Sequence, residues 1–257
     1  MLKSVLVLLL AALAALPGSA TGQSADDLEA AVRDAPDGIV EVVFAARPGV
    51  WGDGRKHTWV RRPRSDHPGC TCRNGPIRVT LSVQDGTIRS LDTRVGGEPA
   101  RESENDLGRV SAAAAASFLM RMALDSESGS VAEDALESAV LADSADLWPG
   151  LLTISKDISR PSELRKTAIF WLAQEAADEA APVLNELVAE EAEDMEVREA
   201  AIFALSRLPD GRGVSLLLDI ARQPIHPRLV RSAFFWLGQS EDPRALALFE
   251  QVLTSGG

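Results

Sequence analysis

Apolar residues recur in a block that appears three times in the second half of the chain. The block LRKTAIFWL at 164–172 returns as VREAAIFAL at 197–205 and as LVRSAFFWL at 229–237, at spacings of 33 and 32 residues. One helical face of the first block carries Leu164, Ala168, Trp171 and Leu172. A repeat of this length is typical of stacked supersecondary units that fold only together. The pattern therefore predicts a helical solenoid.

A second helix is predicted after each of these blocks. We call the helices of the quoted blocks A helices and their followers, predicted at 179–189, 213–222 and 243–253, B helices. Equivalent B positions are apolar in the three units: Val183, Leu216 and Phe249; Leu184 and Leu217; Leu187, Ile220 and Val252. Recurrence at equivalent positions indicates a core that continues from unit to unit.

Weaker helical patterns precede the three units. Ser111 is predicted to cap a helix at 112–124, and Ser130 a helix at 131–142. A further helix is predicted at 148–156, with Pro149 in its first turn, where proline is tolerated. The helical array is therefore expected to begin near Ser111.

The first part of the chain has the period of strands. Residues 39–44 are rich in β-branched side chains, and apolar residues alternate with polar ones over 77–84. Asp85-Gly86 is a favoured hairpin turn, with a returning strand at 88–95. These signals predict a small antiparallel sheet of about three to five strands, with the charged run 101–106 as its boundary.

The segment DMEVREAAIFAL at 194–205 resembles the A helix of HEAT-type repeats, particularly the short ones first noted in phycobilin lyases. The resemblance implies a mainly α fold: a HEAT-like α-solenoid of stacked helix pairs, here preceded by a small antiparallel β domain. Such repeats serve as scaffolds and adaptors and in a few enzymes. One departure is visible, because the arginine at Arg165 and Arg198 is replaced by Val230 in the third unit.

The N-terminus has the pattern of a secretory signal peptide. A basic residue at Lys3 precedes an apolar run at 5–16, and small residues follow at 17–20. The run is shorter than the roughly 20 residues that span a bilayer. We therefore expect a signal peptide at 1–20, a β domain with a basic loop at 24–106 and a helical domain at 111–257, in a periplasmic or extracellular protein without a membrane span after cleavage. The chain as a whole resembles exported bacterial HEAT-repeat proteins.

Charge is distributed unevenly along the chain, whose net charge is −12. Residues 111–257 carry 12 basic and 24 acidic residues, whereas 47–78 carry eight basic and two acidic ones. This distribution argues against nucleic acid as a partner, because phosphate binding needs concentrated positive charge. The B helices are expected to line the inner concave face with a mildly acidic row: Asn185, Glu186, Asp219, Glu250 and Gln251. Such a row fits a protein or peptide partner of basic character, including the chain's own segment 47–78.

The weak candidates for metal ligands lie close together in the basic segment: His57, His67, Cys70 and Cys72. Cysteine and histidine do bind zinc, but Cys-Thr-Cys is spaced more tightly than the usual ligand pairs. A strained Cys70–Cys72 disulfide, structural cysteines and pairing between chains are the alternatives. A redox- or metal-responsive sensor module is therefore a second hypothesis for the function.

Enzymatic signals are weak. The hydroxylase of this repeat family binds iron through His-Glu pairs, and none of the three histidines here is followed by glutamate. Trp171 and Trp236 are equivalent, with Ala204 between them, which fits either complementary core packing or a ligand slot. A lyase-type enzyme remains a third hypothesis. The favoured interpretation is an exported, non-enzymatic scaffold with no catalytic residues and no cofactor.

Overall fold

Strands and helices are segregated along the chain, with the strands first. The computed structural model describes residues 24–54, 72–97, 105–143 and 145–255. Helix α1 (Ala25–Arg33) precedes β1 (Gly38–Phe44), β2 (Trp51–Gly52), β3 (Arg73–Asn74), β4 (Ile77–Gln84), β5 (Thr87–Val95) and β6 (Asn105–Arg109). The helices that follow are α2 (Ala112–Asp125), α3 (Gly129–Ala139), α4 (Trp148–Lys156), α5 (Ser162–Glu175), α6 (Ala177–Ala189), α7 (Met195–Ser206), α8 (Arg212–Arg222), α9 (Pro227–Gln239) and α10 (Pro243–Ser255). The chain is mainly α, as predicted.

The predicted hairpin is present and forms half of a four-stranded sheet. Strands are ordered β5-β4-β1-β6, and β4 is antiparallel to both β5 and β1. Asp85 and Gly86 have φ values of 51° and 67°, as the predicted turn requires. Strands β2 and β3 form a separate two-stranded ribbon. The alternating pattern of β4 therefore predicted the buried face of the strand correctly.

Strand β6 was not predicted, and it makes the sheet mixed rather than purely antiparallel. It pairs in parallel with β1, with Asn105 opposite Val40. Its sequence, NDLGR, contains no β-branched residue, and its first two residues belong to the charged run 101–106, which predicts a boundary. The unpaired edge of β1 supplies the hydrogen-bonding partners that make this segment a strand, so its structure is decided by tertiary contact.

The helices stack in two rows. The A row contains α3, α5, α7 and α9, and the B row contains α2, α4, α6, α8 and α10. Successive A-row helices pack directly against one another, and the small residues Ala168, Ala201 and Ala233, at equivalent positions in these helices, are fully buried. B-row helices approach one another less closely. The A row is therefore the more closely packed side of the stack.

One hydrophobic core runs through both parts of the chain. In the array it contains two fully buried rows: Leu164, Val197 and Leu229; Leu172, Leu205 and Leu237. It continues into the β region, where Phe118 and Leu119 of α2 face Val42, Val79 and Leu81 of the sheet. Strand β5 also packs against α3. The sheet therefore covers the apolar end of the helical stack, which would otherwise be exposed at the first unit.

Two residues predicted to lie in the core are partly exposed, and one of the two predicted helix caps is not at the start of its helix. Trp171 is half-buried, because Ile169 rather than Trp171 completes the core face of α5. Val252 is 49% exposed, since no described helix packs beyond α10. Ser111 does cap α2, accepting a hydrogen bond from the Ala114 N–H at 3.1 Å. Helix α3, however, begins at Gly129, before the predicted cap Ser130.

Two buried arginines link neighbouring units. The Arg165 guanidinium donates to the Ser155 carbonyl at 2.9 and 3.2 Å, and that of Arg198 donates to the Val188 carbonyl at 2.8 and 3.0 Å. Each acceptor lies near the C-terminal end of the preceding B-row helix, where carbonyls lack partners within the helix. In the third unit Val230 cannot make this bond. The departure noted in the sequence therefore removes one link between units.

The predicted signal segment, 1–20, lies outside the described residues. Among the helices that are described, none is both long and apolar enough to cross a membrane.

Candidate functional site

Aromatic side chains form a continuous surface along the A row, which we call the aromatic stripe: Phe170, Trp171, Phe203, Phe235 and Trp236. Phe170 of α5 stacks on Phe203 of α7 with ring centroids 6.1 Å apart, and Phe203 meets Trp236 of α9 at 4.8 Å. Phe235 is 58% exposed, and the other four are half-buried. A contiguous apolar surface of this kind is typical of an interaction site.

The stripe ends in a cavity of about 700 Å³ between the sheet and the array, which we call the junction pocket. Its lining comes from strand β5, helices α3, α5 and α7 and the two residues that follow α3: Leu91, Asp92, Thr93, Asp134, Glu137, Val140, Leu141, Lys166, Thr167, Phe170, Trp171, Ala200 and Phe203. The volume lies within the range of ligand-binding clefts. The pocket exists because the sheet packs against α3 and leaves the faces of α5 and α7 uncovered beside it.

The α3 side of the junction pocket is acidic. Glu137 and Asp134 lie one helical turn apart on this wall, and no described residue forms an ion pair with Glu137. Loss of hydration, followed by repulsion from Asp134 and Glu133, raises the pKa of Glu137 above its ordinary value. Among the described residues no cation compensates the charge of Glu137, and a bound cation would stabilise it.

The one lysine in the lining is held by carboxylates. Lys166 donates to Glu163 at 2.6 Å and to Glu196 of the next unit at 3.2 Å. The hydrogen bond to Glu163 is the main reason that the pKa of Lys166 is raised, with a smaller effect from Glu196. Because these partners neutralise its ammonium group, Lys166 contributes little positive charge to the pocket.

Arg47 shows how this side of the molecule binds a cation. The chain after β1 pairs with the residues that follow α3, where the Arg47 N–H donates to the Leu141 carbonyl at 2.9 Å. The guanidinium group forms an ion pair with Glu175, donates to the Val140 carbonyl at 3.1 Å and lies 5.4 Å from the Trp171 ring centroid. This first residue of the basic segment 47–78 therefore contacts an A helix, not the B-helix row suggested by charge.

The residues predicted to bind a partner lie on the other row. Glu186, Asp219, Glu250 and Gln251 are exposed on α6, α8 and α10, and Asn185 is half-buried. Glu186 pairs with Lys156 at 3.0 Å beside a concavity of about 440 Å³. The five residues remain a candidate surface, but the larger cavity and the aromatic stripe are on the A row.

The metal and sensor hypothesis rests on residues that are mostly outside the described part of the chain. His57, His67 and Cys70 are not described, and Cys72 is disulfide-bonded. A disulfide sulfur is not the thiolate that binds zinc. Among the described residues no three His, Cys, Asp or Glu side chains converge as a metal site would require.

Sequence reasoning missed the stripe, although a signal for it was present. Phe170, Phe203 and Phe235 occupy equivalent positions in the three units. The sequence analysis assigns no surface role to them, and the ligand slot that it considers lies beside Ala204. Ala204 is fully buried, so no slot opens there. An aromatic residue at one position of every unit is the signal that indicates a surface row.

The geometry defines the class of protein: an α-solenoid of HEAT-like helix pairs with a sheet at one end and a pocket where the sheet meets the array. Residues 149–237 match the family model for HEAT repeats, the part of the chain that contains α4 to α9. No curated protein and no solved structure matches the chain. The match agrees with the resemblance seen in the repeated blocks.

Proposed function

We propose that the protein is a non-enzymatic scaffold that binds an extended segment of another protein along the A row. The aromatic stripe is the observation that carries this proposal, because it crosses three helices and leads into the junction pocket. HEAT repeats commonly serve as protein-interaction scaffolds, and solenoids bind their partners along extended surfaces. Aromatic residues are also enriched in the cores of interfaces.

The polar groups of the pocket support binding rather than catalysis. Lys166 is engaged in ion pairs, and the Thr93 hydroxyl shares a hydrogen bond of 2.5 Å with Ser138. Ser138 in turn donates to the Asp134 carbonyl at 2.6 Å. These bonds link β5 to α3 and α5 to α7 around the cavity. Their role is to keep a binding surface rigid.

Selection of random dodecapeptides on the purified chain tests the site. We expect enriched peptides to bind the parent, and expect the double variant Phe203→Ala and Trp236→Ala to lose at least about tenfold in affinity. The matched control reverses three B-row charges, in Glu186→Lys, Asp219→Lys and Glu250→Lys, and should leave affinity within about twofold. Circular dichroism confirms that each variant keeps its helices.

Two outcomes contradict the proposal. If no peptide is enriched, or if the enriched peptides bind the aromatic variant as well as the parent, the A row is not the binding surface. If affinity falls with the charge reversal instead, the acidic B-row surface predicted from the sequence is the site.

Export is part of the proposal, supported by the pattern at 1–20 and by the disulfide at Cys72. Disulfides persist in oxidising compartments outside the cytosol.

We expect the mature protein, isolated from an extracytoplasmic fraction of its native cells, to begin after Ala20 or shortly beyond, as N-terminal sequencing would show. A variant with Leu8→Arg and Leu9→Arg interrupts the apolar run and should keep its full length in the cytosol. A parent chain that retains Met1 in the cytosol would contradict export.

A further inference from the structure

We infer that the junction pocket binds the guanidinium group of an arginine in the partner segment. This inference rests on the proposed function and names the chemistry that its main pocket recognises. Three independent features carry it: the internal example of Arg47, the arrangement of acidic and aromatic walls, and the size of the cavity.

Arg47 provides the internal example. Its guanidinium group lies against the Trp171 ring, 5.4 Å from the centroid, and pairs with the Glu175 carboxylate. It also donates to the Val140 carbonyl at 3.1 Å. Trp171 and Val140 line the junction pocket as well. The pocket therefore borders a site at which the same chain already holds an arginine between an aromatic face, a carboxylate and a carbonyl.

The pocket walls repeat this combination of groups. Phe170 and Phe203 are stacked on the α5 and α7 side, and Glu137 and Asp134 stand on the α3 side. A cation between these walls gains from the ring faces and from the carboxylates together. Lys166 does not oppose it, because Glu163 and Glu196 hold its ammonium group. An anionic ligand would meet the uncompensated charge of Glu137 and is disfavoured.

Arginine fits these walls better than lysine. A planar guanidinium stacks on aromatic rings and donates two parallel hydrogen bonds to one carboxylate, whereas an ammonium acts as a compact, strongly hydrated charge. The cavity, at about 700 Å³, is much larger than one guanidinium group, so neighbouring residues of the segment enter with it. Their apolar side chains would continue onto the aromatic stripe. An extended peptide is thus favoured over a free amino acid.

The test uses peptides enriched on the purified chain by the selection described above. We expect arginine at one position of these peptides. Replacing that arginine by citrulline, its uncharged analogue, should weaken binding at least about tenfold, and replacing it by lysine about threefold to tenfold, as measured by calorimetric titration. Citrulline keeps the shape and removes the charge, so this comparison isolates the ionic contribution.

Protein variants place the effect in the pocket. Glu137→Gln should weaken the arginine peptide about tenfold while changing the citrulline peptide by less than about twofold. The matched control Glu186→Gln removes one exposed carboxylate from the B row and should change neither. Glu137 is exposed, so Glu137→Gln is expected to fold; an unchanged thermal midpoint verifies this.

The outcomes separate the inference from the function on which it rests. Enriched peptides that need Phe203 but carry no arginine, or that bind equally well with citrulline, overturn the arginine pocket and leave the scaffold function standing. Equal loss with Glu137→Gln for both peptides also overturns it. Absence of enriched peptides overturns the scaffold function itself.

Discussion

Replacing Arg165 with methionine is expected to lower the free energy of unfolding by about 3–5 kcal/mol. Arg165 and Glu193 are both only 3% exposed at their side chains and form a bidentate ion pair, with one N–O distance of 2.7 Å. In Arg165→Met, Glu193 is a buried carboxylate without its ion-pair partner, and the Ser155 carbonyl loses the hydrogen bond from Arg165. Chemical denaturation followed by circular dichroism measures the loss.

Arg198 supplies the matched control. It occupies the equivalent position in the next unit and donates only to the Val188 carbonyl, with no described carboxylate in an ion pair with it. Arg198→Met should therefore cost less, about 1–3 kcal/mol. Combining Arg165→Met with Glu193→Leu should recover part of the loss, because it removes both charges. Equal losses for Arg165→Met and Arg198→Met would show that the ion pair contributes nothing beyond the carbonyl bond.

The same pair has a pH dependence of defined sign. Burial by itself would raise the pKa of Glu193, but hydrogen bonds from Arg165 and from the Asp194 N–H outweigh burial and hold the pKa below the ordinary 4.5. A carboxyl whose folded-state pKa is depressed stabilises the fold above its unfolded pKa, and this contribution is lost as pH falls through the folded value. Glu193→Gln should therefore show a flatter decline in stability below about pH 4.5 than the parent. Parallel acid profiles would contradict this assignment.

The second large loss of stability is expected from replacing Gly213, near the start of α8, with alanine. A Cβ at this position would lie 1.7 Å from the Leu205 carbonyl oxygen and 2.6 Å from its carbon, both backbone atoms of α7. A contact with a flexible side chain can be relieved when that side chain moves. Here the neighbouring atoms belong to the backbone, so α7 and α8 would have to separate. Gly213→Ala is therefore expected to destabilise the chain by about 3 kcal/mol or more, at the upper end of overpacking effects.

Gly238 in α9 is the control for this substitution. A Cβ there would meet its nearest neighbour, a ring carbon of Phe249, at 3.9 Å, an ordinary contact. Gly238→Ala should therefore stabilise the chain by about 0.5–1 kcal/mol, because alanine restricts the unfolded backbone and favours helix. Thermal and denaturant unfolding of both variants give the comparison. A mild effect of Gly213→Ala would mean that α7 and α8 are not packed as closely as described.

Much of the fold follows from local patterns. The 33-residue and 32-residue spacings of the blocks place α5, α7 and α9, and Leu164, Leu172 and their equivalents form the buried rows expected of them. The hairpin of β4 and β5 follows from alternation and from Asp85-Gly86. These signals are local: the side-chain period, the cap and the turn residue all act within a few positions of the chain.

The candidate site was less accessible from the sequence. Acidic residues are abundant, so those of the B helices and those of α3 could not be ranked by charge alone. That Glu137 and Phe203 line the same pocket depends on how β5, α3, α5 and α7 pack, and these elements are far apart in the chain. Likewise, nothing local assigns Arg47 to Glu175 and Trp171.

The sequence by itself thus determined the repeat, the helix pairs and the hairpin, because periodicity is a property of neighbouring residues. The tertiary structure alone decided three further features: that β6 is a strand, that the A row is the closer one, and that a pocket forms where the sheet meets the array. Each of these depends on which surfaces remain uncovered after packing. Side chains with the same local pattern, such as Phe170 and Ile169, are then divided between surface and core.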